Sequence, residues 1–87
     1  MAKEVRMMVQ EGCPHCARAK QYMHELEAEH PEYKDVHFEI IDELKEPKLA
    51  ESLDYWYVPT YFIDGRKIHE GSVTKSDVES VYKAALS

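Results

Sequence analysis

At 87 residues the chain has room for one domain with one core, so residues 1–87 are expected to form a single domain. Hydrophobic residues make up 44% and charged residues 32%, with only 3 Gly and 4 Pro, a globular composition without repeats, linkers or low-complexity tracts. The net charge of −6 argues against nucleic acid or an anionic membrane surface as partner; no stretch approaches a membrane span, and charges interrupt the only apolar run of the opening "MAKEVRMMVQEG", so a cytoplasmic monomer is expected.

Taken in chain order, residues 3–9 ("KEVRMMV") place Val5, Met7 and Val9 on one face and Met8 on the other, as in a strand buried on both sides. After the cysteines, Cys16, Ala19, Met23 and Leu26 recur at helical spacing, and Pro31 marks where that helix stops. "DVHFEIID" alternates Val36, Phe38 and Ile40 as a second strand. Pro47 then opens a helix carrying Leu49, Ala50 and Leu53. "TYFIDGRKIHEG" reads as a hairpin about Asp64-Gly65, because both residues tolerate positive φ. The last segment begins with Thr74 and Asp77 in a capping-box arrangement and carries Val78, Val81, Tyr82 and Ala85 as a stripe. A helical crossover joins parallel strands and a tight hairpin joins antiparallel ones. The expected architecture is therefore α/β, a mixed four-stranded sheet flanked by helices in the order β-α-β-α-β-β-α.

The only two cysteines lie in "EGCPHC". A bridge across two intervening residues closes too short a loop to stabilise a fold by much, so the pair reads as redox-active or metal-binding. Pro14 suits the first helical position, which makes Cys13 the N-cap, with the N–H groups of His15 and Cys16 and the helix dipole favouring its thiolate. Cys16 begins the apolar stripe, where desolvation favours the thiol. The Cys13 pKa is expected well below the free-thiol value of about 8.5. His15 has two readings, a stabiliser of that thiolate or a solvated helix residue.

The motif "GCPHCARAK", the apolar strand before it, "YVPTYFIDG" downstream and the element order together resemble the glutaredoxins of the thioredoxin superfamily over nearly the whole chain. The resemblance implies a thioredoxin-like fold and dithiol-disulfide oxidoreductase activity, with Cys13 as nucleophile and Cys16 as resolving thiol. It also implies a cis Val58-Pro59 bond facing the cysteines, presenting Val58 to an extended substrate. Gln10, Pro14, His15, Tyr57, Gly71 and Ser72 complete the candidate site. Glutathione is a candidate reductant, with no tightly bound cofactor. Three departures point away from glutathione specificity: Gln10 stands where a lysine is common, no basic residue lies in "SLDYWY", and "EGSVT" has Val73 in place of the usual acidic residue. Expected partners are disulfide-bearing proteins or glutathione mixed disulfides, with a donor of the thioredoxin-reductase type.

The rival class is a zinc or iron-sulfur module built on the cysteine pair; a closed zinc site needs four ligands, and no second cysteine pair supplies them. Tyr55, Trp56 and Tyr57 either line a groove beside Pro59 or fill a core. His24, His30, His37 and His69 are expected on polar faces. The acidic run "HELEAEHPE" reads as a solvated face or as a selector of basic partners.

Overall fold

A computed structural model describes residues 2–87. Its elements are β1 (Val5–Val9), α1 (Pro14–Glu29), a 3-10 helix (Pro31–Asp35), β2 (Phe38–Asp42), α2 (Pro47–Glu51), β3 (Thr60–Ile63), β4 (Arg66–Glu70) and α3 (Lys75–Leu86). The strands lie in the order β2-β1-β3-β4; β1 runs parallel to β2 and antiparallel to β3, and β3 runs antiparallel to β4. The α/β class and the mixed four-stranded sheet are as expected, and the 3-10 helix after Pro31 is an addition.

The pleat sends successive side chains to opposite faces, so β1 serves two cores. Val5, Met7 and Val9 join Tyr61 and Ile63 beneath the stripes of α1 and α3, whose buried residues are those the spacing predicts. Met8 joins Ile41 and Phe62 on the other face, covered by Leu49, Ala50, Leu53 and Tyr55. Three aromatic rings lock the first face: Tyr33 stacks on Tyr82 with centroids 4.8 Å apart, and Phe38 meets Tyr82 edge-on at 5.1 Å.

Two punctuation signals hold as read. Asp64 and Gly65 carry φ of 52° and 79°, the pair of positive values that a two-residue hairpin turn needs. Thr74 Oγ1 accepts the Asp77 N–H at 3.1 Å, and the Asp77 carboxylate accepts the Thr74 N–H at 2.9 Å, closing the box that starts α3. The second strand differs from its predicted form. Val36 is buried but caps the 3-10 helix, and Ile40 is 45% exposed, while Ile41 is the buried residue. The cause is position: β2 is an edge strand, and Ile40 reaches only the rim of α1, beside Lys20, Met23 and His24.

Candidate active site

The turn before α1 is shaped by Gly12, whose φ of 84° suits glycine, and is closed by the Cys13 N–H donating to the Gln10 carbonyl at 3.1 Å. Asp42, at the end of β2, ties the turn to the sheet: one carboxylate oxygen accepts the Glu11 N–H at 3.1 Å and the other the Leu44 N–H at 2.8 Å. Cys13 is the N-cap, with extended φ and ψ of −76° and 118°, and its carbonyl accepts the Ala17 N–H at 3.1 Å as the helix begins. Pro14 is the first helical residue, and no acidic side chain in the first turn offsets the partial positive charge of the helix start.

The two thiols are free and unlike. Cys13 is partly exposed, whereas Cys16 is 3% exposed among Ala19, Met23 and the first core. The Cys13 sulfur makes no capping hydrogen bond, contrary to the sequence expectation. Its pKa is nevertheless lowered. Desolvation and the charge of Glu43 raise it, but the Cys16 N–H, the Cys16 thiol and the His15 N–H together outweigh them. Cys16 moves the other way, pushed up to about 11, chiefly by burial and further by its neighbour's sulfur.

The Val58-Pro59 peptide is cis and Pro59 is buried. Around it, the Gly71 N–H donates to the Pro59 carbonyl at 2.9 Å and the Thr60 hydroxyl donates to the Tyr57 carbonyl. The aromatic run divides between its two readings. Tyr55 packs in the second core and donates its hydroxyl to Glu43 at 2.8 Å, while Trp56 and Tyr57 are 85% and 70% exposed.

Apart from the buried Pro59, the candidate residues fall into two grooves flanking the start of α1. Gln10, Cys13, Pro14 and Cys16 line the larger, of about 930 Å³, together with Lys20 and Leu49. His15, Tyr57, Val58, Gly71 and Ser72 line the smaller, of about 340 Å³, together with Glu70. Sequence reading missed Glu70, Asp42 and Glu43; the only local signal was a carboxylate just before Gly71 or just after a strand. Two histidines expected on polar faces have partners: a His69 ring nitrogen lies 3.1 Å from the Ser72 carbonyl, and the His30 ring lies 3.6 Å from Glu79. Among the described residues no three His, Cys, Asp or Glu side chains gather to hold a metal, so the cysteine pair would bring two sulfurs and no further ligand of those types. No helix among them is long and apolar enough to cross a membrane.

Residues 3–83 match the protein family described as "Thioredoxin domain". No curated protein sequence matches. Among solved structures, a malarial protein superposes with a TM-score of 0.73 at 18% identity, covering 100% of both chains. Oxidised thioredoxin from Plasmodium falciparum gives 0.70 at 17% identity, over 94% of this chain and 80% of that one. Reduced desulfothioredoxin from Desulfovibrio vulgaris Hildenborough gives 0.68 at 20% identity, over 97% and 82%. At such identities these likenesses describe the fold.

Proposed function

The chain belongs to the thioredoxin-domain family, and on that premise we propose that it is a glutaredoxin-like dithiol-disulfide oxidoreductase acting in the cytoplasm. The observation that carries the reading is the opposed environment of two sulfurs three residues apart: Cys13 at a helix start with its pKa lowered, Cys16 buried with its pKa raised. The Cys13 thiolate attacks one sulfur of a substrate disulfide, forming a mixed disulfide and expelling the other sulfur as thiolate. Cys16 then gives up its proton, which the departing thiolate can take, and attacks Cys13. That forms the Cys13–Cys16 bridge and releases the second substrate thiol. The substrate gains two electrons, the protein loses two, and a dithiol donor of the thioredoxin-reductase type restores them.

Protein disulfides are the proposed substrates, in preference to glutathione mixed disulfides. Val73 is buried and offers no charge, and the exposed Gln10 is uncharged at neutral pH. Of the cations that could replace the missing partners, Lys75 is held by Glu25 and Glu29 at 3.2 and 2.6 Å, whereas Lys20 lines the larger groove. Losing two or three charge-assisted contacts weakens glutathione by about one to a few powers of ten, because such contacts are discounted at an exposed groove.

Two measurements test the reading. Iodoacetamide should label Cys13 first, with a rate that rises with pH through a midpoint below the ordinary thiol value of 9.0, since rate follows thiolate and the folded pKa is lowered. First labelling at Cys16 reverses the roles. Side-by-side turnover on a protein disulfide and on a glutathione mixed disulfide should favour the protein, and a strong preference for glutathione removes the proposed specificity.

A further inference from the structure

Glu70 ends β4 opposite Thr60, and two of its partners lie thirteen and fourteen residues away in sequence. Its Oε2 accepts the backbone N–H groups of both Trp56 and Tyr57, the second at 3.0 Å, while Oε1 accepts from Lys67 Nζ at 2.7 Å. Residues 54–59 form neither helix nor strand, and these bonds hold the segment's course together with the Thr60–Tyr57, Gly71–Pro59 and Tyr55–Glu43 hydrogen bonds. With their N–H groups tied inward, Trp56 and Tyr57 keep their rings in solvent. The next residue differs. Val58 takes no partner for its N–H or C=O among the loop and turn backbone bonds of the described residues. It lines the same groove as His15, two positions from Cys13.

We propose that Glu70 is a positioning residue of the redox site, holding residues 56–58 so that the free N–H and C=O of Val58 pair with an extended substrate segment while its disulfide meets Cys13. The inference rests on the oxidoreductase reading above. Lys67 first, and then the Trp56 N–H, hold the Glu70 carboxyl down at about 2, so the acceptor is ionised at neutral pH. A partner strand docked by main-chain bonds gains from an edge already fixed in place, whereas a disulfide too small to lie along that edge gains nothing.

The test mixes pre-reduced full-length protein with each of two disulfides in single turnover: insulin, whose chains can lie along the edge, and oxidised 2-mercaptoethanol, which cannot. Glu70→Ala should slow insulin reduction by about tenfold, roughly the loss expected when two shared hydrogen bonds no longer set the edge. The change should lie in the half-saturating insulin concentration and leave the plateau rate intact. The rate with oxidised 2-mercaptoethanol and the alkylation rate of Cys13 should match wild type. Glu70→Gln, whose amide oxygen can accept both N–H groups, should recover most of the loss, and Lys67→Ala should lose little. Glu70→Asp keeps the charge but is shorter by one methylene; it should show the same selective loss, and it carries the test if the alanine variant unfolds. Equal losses on both disulfides, no loss on insulin, or a glutamine variant as slow as alanine would overturn the inference. Wild-type protein that reduces neither disulfide removes the oxidoreductase reading and this inference together, whereas an active wild type with unaffected Glu70 variants removes the inference alone.

Discussion

On one face of the sheet lie the 16 residues of α1 and the 12 of α3, with the Tyr33, Phe38 and Tyr82 rings between them and the strands; on the other lie the five residues of α2 and the irregular segment that follows it. The site straddles this difference. Cys13 and Cys16 are held by the thickly covered face, while Val58 packs against both cores and its segment enters from the thin one. A nucleophile needs a fixed field around it, which a long, well-packed helix supplies. A substrate edge needs backbone groups left unpaired, which a thinly covered segment can offer. The division places rigidity and accessibility on opposite sides of the same sheet.

The comparison can be broken first on the thick face. Tyr82→Ala removes a fully buried ring, its two aromatic neighbours and its hydrogen bond to Glu27, and should cost about 3–5 kcal/mol in urea unfolding. Cys13 alkylation in the protein that remains folded should be unchanged. Leu49→Ala, on the thin face, removes a half-buried side chain and should cost only about 1 kcal/mol. Leu49 also lines the groove that Cys13 faces, so protein-disulfide reduction should slow by roughly a few-fold, as expected when a modest apolar contact to substrate is lost. Equal stability losses in the two variants would show that the faces carry equal weight.

The smallest effect sharpens the comparison at the sulfur itself. The α1 N–H groups lower the Cys13 pKa, and Glu43, which holds Tyr55 of the second core, raises it. Glu43→Gln keeps an acceptor for the Tyr55 hydroxyl and removes the charge. The alkylation midpoint of Cys13 should therefore fall, by less than about one pH unit, since a full unit corresponds to ~1.4 kcal/mol and the pair is not in direct contact. A midpoint that stays where it is would assign Glu43 a purely structural part, and one that rises would reverse the sign of its charge effect.

Elements whose partners are close in sequence were legible. The α1 stripe of Cys16, Ala19, Met23 and Leu26, the Thr74–Asp77 box and the Asp64-Gly65 turn are each set by residues within a few turns of one another. The unequal cysteines were legible for the same reason, because position along one helix decides exposure. Ile40 and Ile41 were not, since which of two adjacent isoleucines is covered depends on β2 being an edge strand, and sheet order is not written in strand periodicity. Glu70 was hidden more deeply: a lone carboxylate at a strand end has no motif, and its N–H partners are supplied by a distant irregular segment. The capping bond expected of Cys13 is absent.

Met7 and Met8 are wholly buried on opposite faces of β1, whereas Met23 on α1 is 7% exposed at the edge of a surface groove, with its sulfur 3.6 Å from the Tyr61 hydroxyl. Peroxide attacks a thioether only where it can reach one, and it attacks a thiolate faster still. Among the described residues the most exposed sulfur of the folded protein is that of Cys13, whose oxidation to sulfenic acid can be reversed through Cys16, while sulfoxide formation at Met7 and Met8 must wait for the core to open. The mass gained at Met7 and Met8 under mild peroxide therefore works as a clock for opening: Met8 reports the thinly covered face, Met7 reports the thickly covered one, and Met8 should gain its oxygen before Met7.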